Sequence, residues 1–477
     1  MTIKQEPPPS GRGAVLRHAL NYFSSHAALA FLHLISIPIF TRLLVPGEYG
    51  LYQIFNSYVA IGAVLFTMNV ASSVTRRTLE ADGHDSGFMG SILFLTVGTV
   101  AMAAMATLPF TIIVAKGLGI TSEMVYLLYP AILFAAIFNV FHAQCVATQK
   151  SKVLFVVSVL RGYGGVTLGV GLLFFLASER HLGPILGSTI AFGIVAIWVL
   201  LTLARQAHWE PCKEHFNYMA VYSLPLVFYS LGNIVLGQLD RIMINKMIGP
   251  AEAGLYSLAY NVGMLLDMAS TALHSALVPY WFKHLNSGER GKADDLSDFN
   301  FRITLSFALG LICFSQELLQ ILASRAFQEA LPIIPIIVIG YVFNSVYKIY
   351  LREVSYSKRM WHVSIIALIG AVSNWGLNLW LLPVFGYEAA AYTTLVSFLL
   401  MVFMAWFVVR HILHIDAFPL VRLFRPTMIF LLGVAGHYAI SQSMGGDWTA
   451  LLAKSALFVV LSAVLLRAWP LHSTRAG

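Results

Sequence analysis

The sequence predicts an all-α polytopic membrane protein of about fourteen transmembrane helices, built as two six-helix repeats followed by two C-terminal helices. Three observations predict it. Hydrophobic residues make up 58% of the 477 and charged residues only 11%, where a soluble chain carries about 25% charged. A water-soluble fold of this length cannot hide that much apolar side chain. Apolar runs of roughly 18 residues or more recur along the whole chain, and lysine and arginine concentrate in alternate breaks between them.

Residues 1–13 are polar and proline-rich and read as a cytoplasmic N-terminal tail. The apolar run behind them is too long for a signal-peptide core and lacks a small-residue cleavage site, so it reads as a retained first span. Helices 1 to 7 fall near Ala14 to Phe40, Gly50 to Ser73, Gly90 to Val114, Met124 to Ala147, Val153 to Ala177, Leu182 to Ala204 and Met219 to Met247. Helices 8 to 14 fall near Gly254 to Phe282, Ile303 to Ala323, Leu331 to Leu351, Trp361 to Val384, Glu388 to Val409, Pro426 to Ile440 and Ala450 to Leu466. The thirteenth is short and contains His437. The organisation is a first six-helix bundle over 14–204, a cytoplasmic linker over 205–218, a second bundle over 219–409, and two further helices with a short cytoplasmic tail over 410–477. The largest connector, Lys283 to Asn300, mixes both charge signs and reads as a solvated link.

With an even number of spans and the N-terminus inside, about 21 of the 30 lysines and arginines lie on the cytoplasmic side and about six opposite. Losing one span would break this pattern from that point onward, so both termini are expected in the cytoplasm. Cys145, Cys212 and Cys313 are odd in number and far apart, with neither a disulfide nor a metal spacing.

An internal repeat carries the architecture. The segment LLVPGEYGLY (Leu43 to Tyr52) reappears as MIGPAEAGLY (Met247 to Tyr256), identical at five of ten positions and placed after helix 1 and after helix 7. Proline ends one helix, glutamate suits the first turn of the next and glycine permits a tight reversal. Six helices per repeat is even, so both halves enter the membrane in the same sense, related by an axis along its normal. A second, looser pair, Asn374 to Leu395 and His181 to Thr189, offers small residues for close helix approach.

Ionisable residues at membrane depth are candidate functional groups. Arg161 lies roughly 13 Å into helix 5, followed by Gly162, Gly164 and Gly165. Asp240 and Arg241 come about ten residues before Pro250, pointing about 100° apart, so they need not neutralise each other; an interhelical ion-pair site is the alternative. Arg42 and Lys246 occupy matching places in the two repeats, at the outer mouth. Asp267 sits near the middle of helix 8 with His274 two turns on along the same face. Arg161, Arg241, Arg42 and Lys246 are candidate substrate-binding residues, because arginine makes bidentate contacts to phosphate oxygens. Asp240, Asp267 and His274 are candidates for ion coupling or for structure. His26 and His33 share a face of helix 1 with no carboxylate and read as packing histidines. Lys348 and Lys454 read as snorkelling near span ends. Asn56, Asn69, Asn233, Asn344, Asn374 and Asn378 suit sugar hydroxyls or interhelical hydrogen bonds alike.

Three runs carry a family resemblance: TRLLVPGEYGLY after helix 1, LDRIMINKMIGPAEAGLYSLAY at the end of helix 7, and NWGLNLWLLPVFGYEAAAYTTL across helices 11 and 12. They resemble the polysaccharide (O-antigen and exopolysaccharide) flippases of the multidrug/oligosaccharidyl-lipid/polysaccharide exporter superfamily. The resemblance implies an inner-membrane protein that turns undecaprenyl-diphosphate-linked oligosaccharide from the cytoplasmic to the outer leaflet. The repeat reads as two halves around a cavity open to alternate sides, and the ionisable residues above read as a mostly cationic lining for it. It implies a polysaccharide polymerase and a chain-length regulator as partners beside the lipid bilayer. No cofactor, metal or nucleic acid is expected. A multidrug exporter of the same superfamily would favour a carboxylate in helix 1, which has none. A peptidoglycan-precursor flippase would use helices 13 and 14 to hold lipid. A membrane-embedded glycosyltransferase or polymerase is disfavoured because the outward loops are short and no nucleophile elbow, phosphate loop or HExxH motif is present.

Overall fold

The computed structural model describes residues 34–80, 85–176, 178–205, 212–357, 359–416, 418–444 and 448–467. Most of the expected first span, with His26 and His33, lies outside the described residues; its end is α1 (Leu34–Leu43). All regular structure among the described residues is helical. The chain continues through α2 (Pro46–Thr67), α3 (Ala71–Glu80), α4 (Ser86–Thr107), α5 (Thr111–Leu118), α6 (Ser122–Ala147), α7 (Ser151–Leu173), α8 (Leu182–Ala204) and α9 (Lys213–Met247). It then runs through α10 (Pro250–Asn286), α11 (Arg290–Cys313), α12 (Ser315–Leu322), α13 (Ile334–Tyr356), α14 (Met360–Phe385), α15 (Ala389–Phe407), α16 (Val421–Met444) and α17 (Trp448–Arg467). Among the described residues, twelve spans are long and apolar enough to cross a membrane, α4 and α5 together forming one; α9, bent by 52° between Ser223 and Leu226, makes a thirteenth. With α1 as the end of another, the count agrees with about fourteen.

Two local differences from the sequence reading have physical causes. The second span stops at Thr67, because Met68 and Asn69 adopt left-handed backbone (φ 49° and 53°). Asparagine tolerates that region better than most residues, and the chain restarts as the short polar helix α3 with Arg76 and Arg77. The expected solvated link Lys283 to Asn300 is almost wholly helical, with a break only between Asn286 and Arg290. Its charges pair along one helix, Arg290 with Asp294 (3.6 Å) and Asp298 with Arg302 (2.6 Å), and i,i+4 pairs of this kind support helix rather than loop. Asp294, Ser297, Asp298 and Asn300 are buried, not solvated.

The chain divides into two compact units: one holds Tyr58–Val227 with the start of α1, the other Ile37–Ser57 with everything from Phe228 on. In the first, α7 and α8 pack along their length. A Cβ on Gly187 would stand 2.2 Å from the Gly169 nitrogen, and one on Gly165 3.3 Å from Ser188 Cα, so small residues set this crossing, as membrane helices require when lipid is as apolar as any side chain. Phe88, Ile92, Phe138, Phe141, Val157 and Val199 form its core. In the second unit, α10, α11, α13, α14 and α15 pack together and α16 and α17 lie against α11. Gly310 meets Phe458, and Gly433 meets Leu309 and Leu461. Lys454 does not snorkel: it is buried, with its Nζ 3.3 Å from Glu317. Arg302 donates to the Leu465 carbonyl near the end of α17 (3.2 Å), where a cation complements the helix dipole.

Candidate functional site

In the first unit, Arg161 sits ten residues into α7, about 15 Å from its start. Its guanidinium carbon lies 3.9 Å from the Phe138 ring centre on α6 and 4.2 Å from the Phe192 ring centre on α8. Among the described residues it has no ion pair and no hydrogen-bonding partner. Each ring offers a negative face to the cation. Two stacked faces leave the planar N–H edge as its remaining polar surface, the edge that makes forked contacts to phosphate or carboxylate.

The second unit treats a carboxylate in the opposite way. Asp240 on α9 is buried and accepts from Tyr256 Oη on α10 (2.6 Å), Asn378 Nδ2 on α14 (2.6 Å) and Thr394 Oγ1 on α15 (2.7 Å). Asn374 donates to Thr394 (3.2 Å) and Asn378 to Asn374 (3.2 Å), completing the ring. Every donor is neutral, so the carboxyl group has no counter-charge within this network.

Asp240 and Arg241 do not pair with each other. Arg241, also buried, stacks over Tyr260 (4.9 Å) and donates to Gln238 Oε1 (2.8 Å) and Asn261 Oδ1 (3.3 Å). Gln238 also accepts from Ser57 Oγ (2.8 Å), and Asn261 donates to Tyr49 Oη (3.0 Å). Arg241 thus reaches α2 through two amide side chains. Asp267 forms an ion pair with Lys348 (2.7 Å) and accepts from Asn344 (2.8 Å), while Lys348 also donates to Thr271. His274 is not joined to Asp267; its Nδ1 is buried without a partner. Arg42 is exposed and donates to the Ile321 carbonyl (3.0 Å); Lys246 is exposed.

Of the asparagines, three make interhelical bonds as just described, and Asn233 bonds its own helix at Tyr229. Sequence reasoning passed over Tyr256 and Thr394 beside Asp240, and Lys348 as the partner of Asp267. The four-residue spacing of Asn374 and Asn378 signals one shared polar face on α14, but no local pattern links it to α9.

The repeated turns meet each other. Pro46 opens α2 and Pro250 opens α10, the position where a missing N–H costs nothing. Glu48 accepts from the Val45 N–H (3.1 Å), and the Glu252 carboxylate lies over Gly249. These glutamates therefore serve their helix starts.

This arrangement of long apolar helices with a few buried polar clusters defines a polytopic α-helical membrane fold. A solved structure of the lipid II flippase MurJ, in an inward closed conformation, superposes with TM-score 0.74 at 14% identity, covering 94% of this chain and 98% of that one. An inward-facing multidrug resistance MATE family transporter of the MOP superfamily superposes with TM-score 0.61 at 12% identity, covering 90% and 100%. At such identities the likeness is one of fold. The model of the family described as "Polysaccharide biosynthesis protein" matches residues 15–284, more than half of the chain, and the chain belongs to that family. The "Probable low-salt glycan biosynthesis flippase Agl15" of Haloferax volcanii is 21% identical over 403 residues, 80% of each chain. A Haemophilus influenzae protein described as "Uncharacterized membrane protein" is 34% identical over 76 residues, 16% of this chain and 19% of its own. The chain thus matches that relative over about a fifth of its length.

Proposed function

We propose that this protein flips undecaprenyl-diphosphate-linked oligosaccharide units from the cytoplasmic to the outer leaflet of the inner membrane, without enzymatic chemistry, for polysaccharide assembly. The observation that carries the reading is Arg161: a cation held near mid-membrane between Phe138 and Phe192 with no counter-charge among the described residues. Unpaired charge at that depth is expensive, and a passing diphosphate removes the cost while its lipid stays in the bilayer. Arg241, Arg42 and Lys246 extend the cationic series. Family membership and the flippase named among the relatives support the cargo class. The two six-helix halves work by alternating access with both termini in the cytoplasm, and a polymerase and a chain-length regulator act on the product. Asp240, whose oxygens are occupied by Tyr256, Asn378 and Thr394, holds α9, α10, α14 and α15 together.

The test is polymer production in a flippase-null strain, comparing wild type, Arg161→Ala and Arg161→Lys at matched membrane levels. Wild type restores polymer, alanine lowers it about 10- to 100-fold, the worth of one or two charge-assisted bonds, and lysine retains part. Failure of wild type in several such hosts together with gained resistance to cationic dyes would replace this reading with drug export. That second reading is favoured by the multidrug transporters that share the fold.

A further inference from the structure

The two copies of the repeated turn interlock reciprocally. A Cβ on Gly50 would stand 1.9 Å from the Pro250 carbonyl oxygen and 2.9 Å from the Gly254 nitrogen. One on Gly254 would stand 2.0 Å from the Pro46 oxygen and 3.1 Å from the Gly50 nitrogen. Each copy therefore presses its glycine onto the first turn of the other, and no side chain fits at either place. Both glycines have ordinary helical backbone; the left-handed glycines are others. Alanine is the better helix former, so glycine here serves the contact and not the fold of its own helix.

Ring contacts and polar bonds flank this junction. Tyr49 meets Asn261, and its ring stands edge-on to Phe327 with centres 5.7 Å apart. Thr41 and Arg42 donate to the Leu322 and Ile321 carbonyls. Behind them Arg241 clasps Ser57 through Gln238 and Tyr49 through Asn261. By contact, Ile37–Ser57 belongs with the second unit, while the same helix from Tyr58 on belongs with the first.

We propose that the PGEYG and PAEAG turns form a two-part latch, Gly50 against Gly254 with Arg241 as its clasp, which closes one end of the transport route. The latch opens once per cycle, and opening releases the Arg241 N–H groups from Gln238 and Asn261 to an anionic headgroup. On the proposed topology this is the outer end. The inference rests on the transporter reading, so its test includes a readout that needs no cargo.

The experiment uses full-length protein in proteoliposomes, with Cys145, Cys212 and Cys313 replaced by serine. Ser57→Cys reports opening through its rate of reaction with an impermeant maleimide added from the outer side. Gly50→Ala and, separately, Gly254→Ala are expected to raise that rate about tenfold or more, while Gly98→Ala, where a Cβ meets nothing, leaves it unchanged. An unchanged rate in both latch variants overturns the proposal. Independently, Gly47→Cys with Ala251→Cys, where the Gly47 Cβ would lie 3.9 Å from the Ala251 nitrogen, is expected to form a disulfide. It should stop flipping of a fluorescent polyprenyl-diphosphate disaccharide until reduced. Absence of the cross-link, or full flipping while cross-linked, also overturns the latch. If the reduced protein moves no disaccharide lipid yet labelling responds as expected, the cargo is wrong and the latch stands.

Discussion

Arg161 and Asp240 are both ionisable groups inside membrane spans, and the protein handles them in opposite ways. Asp240 receives three direct donors from three helices, whereas Arg161 receives two aromatic faces and no hydrogen-bond acceptor among the described residues. Aromatic faces stabilise a cation without occupying its N–H groups; hydroxyl and amide donors occupy a carboxylate's lone pairs. The first arrangement leaves binding capacity in hand, and the second spends most of it on holding four helices together. The lesson is that burial of a charge does not by itself mark a binding group. What counts is which of its atoms remain free.

That contrast can be broken by exchanging roles. The largest expected effect is on Asp240→Ala, which strands the Tyr256, Asn378 and Thr394 donors. Each unsatisfied buried donor costs about 1–3 kcal/mol, so thermal unfolding in detergent should show a loss of at least about 2 kcal/mol, with Asp240→Asn milder. If Asp240→Ala folds as wild type, the carboxylate is not the structural hub described. Next comes Phe192→Leu, which removes one of the two faces on Arg161. It should cost about 1 kcal/mol of stability and lower transport several-fold through a less well-held guanidinium, read by the same polymer assay. No change in transport would mean that the rings do not position Arg161.

A smaller effect is expected for the Asp267–Lys348 pair, whose side chains keep 28% and 20% of their exposure. A double-mutant cycle with Asp267→Asn and Lys348→Met should return a coupling of about 1 kcal/mol or less; a much larger one would make this pair a second buried hub. The smallest is at Arg76–Glu80, both well exposed at 52% and 42%. There the carboxyl of Glu80 is held below its usual range by its hydrogen bond to Arg76, with a second from Tyr218. Glu80→Gln should leave melting and transport unchanged, which calibrates the other three.

Much of the fold was legible in the sequence. A bilayer demands about 20 apolar residues per crossing, so the spans show themselves wherever composition permits, and α16 proves a full-length helix across the short run that held His437. The connector from Lys283 to Asn300 was misread because its charges look solvated until i,i+4 pairing and burial against neighbouring helices are known. Depth alone singled out Arg161, Asp240, Arg241 and Asp267. Depth does not reveal their partners.

By itself, then, the sequence determined the helical spans, the repeated turn and the few ionisable residues placed among apolar neighbours, because all of these follow from local composition and spacing. Tertiary structure alone decided that Arg161 lies between Phe138 and Phe192, that Asp240 is met by Thr394 from 154 residues away, and that Gly50 and Gly254 touch. Those outcomes depend on which helix faces are brought together, and hydrogen bonds and close backbone contacts form across space at distances along the chain that no local pattern encodes.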